Sequence, residues 1–104
     1  MARSKFQTLT EQMFYILLCL REECCGIDIM DRVPVMTEGR VQIGSGTLYN
    51  LLEQFQDEEM IRETKAEGRR RSYILTDKGL EMLRKERERL QRQAADYDRF
   101  FPEK

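Results

Sequence analysis

The residues best equipped for chemistry fall into two short groups. Gly44-Ser45-Gly46-Thr47-Leu48-Tyr49-Asn50 lines up hydroxyls, an amide and small side chains, and between Gly39 and Leu52 the sole formal charge is Arg40. Further on, Gly68-Arg69-Arg70-Arg71 sets three guanidinium groups side by side. Small polar side chains at a helix start leave free N–H groups to meet a phosphate or a base edge, and guanidiniums hold phosphates. This is the chemistry of recognition. Bond-breaking chemistry finds little support. Histidine is absent, which removes the commonest general base and metal ligand. Cys19, Cys24 and Cys25 have no second pair to complete a zinc site, and there is no phosphate loop and no serine beside a base. No enzyme activity, cofactor or metal is expected.

These groups need elements to position them. Apolar spacing predicts a first helix from about Leu9 to Glu22, capped by Thr8 or Thr10; Thr8 has Glu11 at capping-box distance. Every residue from Met13 to Leu20 is apolar, so this helix is expected to be covered on more than one side, and a partner subunit is the simplest cover, met through Phe14 and Leu17. Gly26 opens a second helix, Ile27 to about Val33, with Pro34 ending or kinking it. Arg40 to Ile43 alternates polar and apolar as a short strand or extended link. A third helix runs from near Ser45 to about Glu58, with Leu48, Leu51, Leu52 and Phe55 as one buried stripe. Ile61–Lys65 and Arg71–Leu75 read as two strands, joined by a turn in which Gly68 can take positive φ. Thr76 caps a last helix reaching about Phe100. Its Leu80, Leu83, Leu90, Ala94, Tyr97 and Phe101, with Arg87 filling the gap, make a heptad seam suited to dimerisation.

The whole chain allows one modest core in 104 residues. The fold class is mainly α with a small β-hairpin. Residues 1–75 are expected to form one body and 76–104 a C-terminal dimerisation helix, together one structural unit. Charged residues make up 36% and the net charge is −1, which counts against nucleic acid as a partner. Local sign matters more where a single face meets phosphates. Arg3 and Lys5 open the chain without an acid, whereas acids gather at Glu22, Glu23 and Asp57 to Glu59. An odd cysteine count suggests reduced thiols and a cytoplasmic protein. No apolar run approaches the roughly 18 residues that span a bilayer.

Helix, helix, strand, helix, hairpin, long helix is the winged helix-turn-helix order. Gly46-Thr47-Leu48-Tyr49 before Leu51-Leu52, Met60-Ile61, Gly68-Arg69-Arg70-Arg71-Ser72-Tyr73 and Leu75-Thr76-Asp77-Lys78-Gly79 together resemble the PadR-like transcriptional regulators. Gly26-Ile27-Asp28-Ile29 is similar to that family's second-helix start, with Ile27 where an aromatic is usual and Ser45 where proline is frequent. The resemblance spans roughly Thr8 to Leu83 and points to the shorter subgroup with a single C-terminal helix. It implies a homodimeric repressor on double-stranded DNA at a near-palindromic operator, with the last helix pairing against the partner's first. Ser45, Thr47, Tyr49 and Asn50 are the candidates for the major groove. Arg69, Arg70 and Arg71 are the candidates for the backbone or minor groove, with Arg3, Lys5, Arg40 and Gln42 as secondary phosphate contacts. A small-molecule effector is a further candidate partner, of no identified type. The alternative is a winged-helix protein-interaction module that does not read DNA, which the acidic balance favours.

Overall fold

The computed structural model describes residues 8–102. Four helices and three strands follow in the order α1 (Glu11–Cys19), β1 (Cys24–Cys25), α2 (Gly26–Met36), α3 (Ser45–Asp57), β2 (Ile61–Glu67), β3 (Arg70–Leu75) and α4 (Asp77–Phe100). None of the described helices is long and apolar enough to cross a membrane.

Thr10 starts α1: its hydroxyl accepts from the Met13 N–H at 3.2 Å, while the Met13 thioether takes the Thr10 N–H. The box expected between Thr8 and Glu11 therefore forms two residues on, between Thr10 and Met13, closed by sulfur. Helix α2 runs through Pro34 to Met36, three residues past the expected stop at Val33. Proline lacks one donor, but Thr37 and Gly39 close the end by donating to the Val33 and Pro34 carbonyls. Residues 40–43 form an extended link with no strand. Val41 and Ile43 point inward from it and are buried.

The sheet is antiparallel with order β1-β3-β2. Two-residue β1 is too short to show a periodicity, and it pairs Cys24 with Tyr73 and Cys25 with Ser72. The β2–β3 hairpin runs from Ile61 opposite Leu75 to Glu67 opposite Arg70, with an irregularity between Glu63 and Lys65. Gly68 turns it with φ +62°. One backbone bond fastens the hairpin to the end of α1, from Leu75 N–H to the Leu20 carbonyl, and another closes its base, from Thr76 N–H to the carbonyl of Met60 just before β2.

The core gathers Ile16, Leu17 and Leu20 from α1 and its end, Ile29 and Val33 from α2, Leu48, Leu52 and Phe55 from α3, and Met60 and Ile61. Burying each such side chain contributes roughly 1.5–3 kcal/mol. This core fixes α3 against α2 and leaves its other face outside. Helix α4 joins it through Leu83 and through the buried Glu86. That carboxylate accepts from the Leu9 backbone N–H and bonds Arg89, so it is held below the usual carboxylate range, chiefly by Arg89. From Gln91 onward every described residue of the helix is exposed.

Candidate nucleic-acid interface

Helix α3 begins at Ser45 after Gly44, and no side chain caps it. Ser45, Gly46, Thr47, Tyr49 and Asn50 are all exposed. The first turn carries no acid, so the positive end of the helix dipole is uncompensated there. Beyond Asn50 the exposed face turns acidic at Glu53 and Asp57. The part of α3 suited to an anionic partner is thus its first two turns.

Tyr49 does not stand free of its surroundings. Its ring lies against Gly26, the first residue of α2, and it remains 48% exposed. Together Cys25, Gly26, Ile27, Tyr49, Glu67, Arg69, Arg70 and Arg71 line a groove of about 300 Å3. The hairpin tip and Tyr49 of α3 therefore share one opening.

The three arginines of the tip differ. Arg69 and Arg70 are exposed, and neither forms an ion pair with another described residue. Arg71 lies in β3, pairs with Glu63 at 3.6 Å and bonds the Tyr73 hydroxyl. Asp28 sits near enough to feel Arg70. The Asp28 carboxyl is held below its usual range mainly because it accepts the Cys25 backbone N–H and thiol.

Arg40 is committed elsewhere: it forms an ion pair with Glu11, donates to the Tyr15 hydroxyl and lies over the Tyr15 ring. That joins the link after α2 to the start of α1. Gln42 is exposed, and its carbonyl accepts from the Gln12 side chain. Arg3 and Lys5 lie outside the described residues.

Of the seam positions, Leu80, Arg87, Leu90, Ala94, Tyr97 and Phe101 are exposed, and Phe14 is partly buried. Leu17 and Leu83 belong to the subunit's own core, at 0% and 8% exposure, which leaves them almost no surface for a partner. Phe100, which the heptad spacing did not single out, is 69% exposed. Tyr97 and Phe101 stack with ring centres 5.2 Å apart. The bases of α4 are largely neutralised along the helix: Arg84 pairs with Glu81 and Glu88, Arg89 with Glu86, and Arg99 with Asp96.

All three cysteines are buried and reduced. Burial pushes the Cys24 thiol up to about 11 and raises Cys19 as well, which keeps both protonated and unreactive. Among the described residues no group of His, Cys, Asp or Glu is placed to hold a metal ion.

The transcriptional regulator PadR-like family matches residues 16–85. Among solved structures, the chain is similar to a PadR-like transcriptional regulator from Bacillus cereus, at 26% identity and TM-score 0.70, over 88% of this chain and 91% of that one. A PadR family regulator from Eggerthella lenta superposes with TM-score 0.75 at 20% identity, covering 88% and 81%. A transcriptional regulator from Clostridium thermocellum does so with TM-score 0.74 at 18% identity, covering 88% and 92%. These last two likenesses are of fold alone. No curated protein matches the sequence.

Proposed function

Because the chain belongs to the PadR-like family of transcriptional regulators, we propose that it acts as a homodimeric repressor on a near-palindromic DNA operator. One observation carries this reading: Tyr49, in the acid-free start of α3, lines the same groove as Arg69 and Arg70, which form no ion pair with another described residue. In this reading the first two turns of α3 enter the major groove. Asn50 reaches a base edge, with adenine its best partner, and Ser45 and Thr47 contact bases or sugars beside it. Arg69 and Arg70 hold the backbone beside that groove. Arg71, tied to Glu63, contributes less, and Arg40 braces α1 more than it contacts phosphate.

The second subunit is expected along α4. Leu90, Tyr97, Phe100 and Phe101 are large apolar side chains that the described chain leaves 42–69% exposed. Two heads joined this way would read half-sites about one helical turn, roughly 10 base pairs, apart or a multiple of that. A hollow of about 260 Å3 between α1 and α4, lined by Leu9, Phe14, Tyr15, Glu86 and Leu90, lies beside the same surface. There a small-molecule effector would bear on the dimer.

Selection of duplexes from a random pool, followed by mobility shift, tests the reading. The expected result is a two-fold symmetric consensus bound tightly at low salt and weakly at high salt. A reporter placed behind that site should be silenced by the protein; raised expression would make it an activator. The net charge of −1 favours a second reading, a protein-interaction module. Recovery of no enriched sequence would support that module instead.

A further inference from the structure

Tyr49 owes its place to a residue outside its own helix. A methyl group built on Gly26 would lie 2.6 Å from the Tyr49 hydroxyl oxygen and 2.9 Å from ring atoms Cε1 and Cζ. Such approaches are closer than contact distance, so the ring rests directly on the glycine backbone. Glycine is a poor helix former, and local structure would favour alanine at this position. What glycine supplies is room for the ring. Seated there, Tyr49 lines the groove that Arg69, Arg70 and Arg71 also line. Glu67 lines the groove too, so an anion in it must sit nearer the arginines than that carboxylate.

Resting on the DNA-binding role above, we propose that Gly26 is a positioning residue: it seats Tyr49 in the groove shared with the hairpin arginines, so that a sugar-phosphate strand there is held by the tyrosine and the guanidiniums together. The tyrosine hydroxyl donates to a phosphate oxygen while the guanidiniums neutralise it. Tyr49 thereby acts on the backbone, and base reading is left to Asn50 and its neighbours on α3.

The geometry allows a clean test, because a Cβ at Gly26 would displace the free end of a half-exposed side chain and leave the core untouched. Gly26→Ala, Tyr49→Ala and the double variant are compared with the wild type by fluorescence anisotropy. Each is measured on a duplex selected by the wild type and on an unrelated duplex of equal length, with thermal melting in parallel. Gly26→Ala and Tyr49→Ala are each expected to weaken binding about tenfold, by the same factor on both duplexes. Gly26→Ala should melt no lower than wild type, and the double variant should bind no more weakly than Tyr49→Ala alone. Wild-type affinity in Gly26→Ala overturns the inference and leaves the DNA-binding role standing. So does a lowered melting temperature, a loss confined to the selected duplex, or a double variant showing the product of the two losses. Failure of the wild type to bind any duplex overturns both.

Discussion

Two parts of the molecule leave its body without partners in the described chain, and they do so for opposite reasons. The hairpin tip exposes Arg69 and Arg70, cations that form no ion pair with another described residue although Glu67 stands opposite Arg70 in the hairpin. The far half of α4 exposes Leu90, Tyr97, Phe100 and Phe101, while its own charges are mostly paired along the helix. A bare cation is hydrated and stable in water, and it gains when a phosphate releases counterions around it. A bare aromatic surface gains when another apolar surface covers it. The first partnership weakens as salt rises; the second does not. The contrast assigns the two regions different partners within one chain, DNA at the tip and a second subunit at α4, and salt is the variable that separates them.

The sharpest way to break this division lies within α4 itself. Leu83 faces the subunit's own core and Leu90 faces outward at 42% exposure, seven residues away on the same seam. Leu83→Asp should destabilise the chain by roughly 3–5 kcal/mol, since it buries a carboxylate without a partner. Thermal melting would record that as unfolding. Leu90→Asp should leave a folded monomer in sedimentation, with operator binding greatly weakened because one head must hold the site alone. Unfolding by both variants alike would erase the distinction between the two halves of the helix.

At the tip the expected effect is smaller and electrostatic. Arg69→Ala combined with Arg70→Ala should leave the dimer intact and weaken binding to all duplexes. The slope of log K against log salt should become shallower by about 3.6 for a dimer that loses four phosphate contacts. An unchanged slope would remove the tip from the interface. Arg71→Ala should change the slope less, because Glu63 already holds that guanidinium. Asn50→Ala should cost about 1–3 kcal/mol at one operator position and little elsewhere.

The mildest effect concerns the joint between α4 and the body. Glu86 is held below the ordinary carboxylate value of 4.5 by Arg89 and the Leu9 N–H. A carboxyl depressed on folding adds stability above its unfolded value, and that stability is lost as pH falls through the folded one. Stability should therefore drop below about pH 4.5, and Glu86→Gln should flatten that drop in melting curves taken from pH 6 to pH 3.

Much of this division was legible in the sequence because it rests on local signals. The Leu48, Leu51, Leu52, Phe55 stripe, the Thr76 cap and the Gly68 turn all involve residues within a few positions of each other. Most of what escaped depends on residues far apart in sequence. Arg40 reads as a free cation beside the polar start of α3, yet Glu11 and Tyr15 on α1 take it. Nothing near Gly26 reveals that Tyr49 packs on it. Leu17 and Leu83 fit an interface pattern, but helical spacing cannot tell a face turned to a partner from one turned to the chain's own core. Pro34 marks a stop by local rules, and the backbone bonds that Thr37 and Gly39 donate let α2 continue past it.

The most direct test is sedimentation equilibrium of the protein with a selected duplex at low and at high salt. At low salt, two chains of 12.5 kDa per duplex are expected. At high salt the DNA should separate and leave a protein dimer of twice the chain mass. A single chain on the duplex, or a protein that falls to monomers as the salt releases the DNA, would contradict the assignment of the hairpin tip to DNA and of α4 to a second subunit.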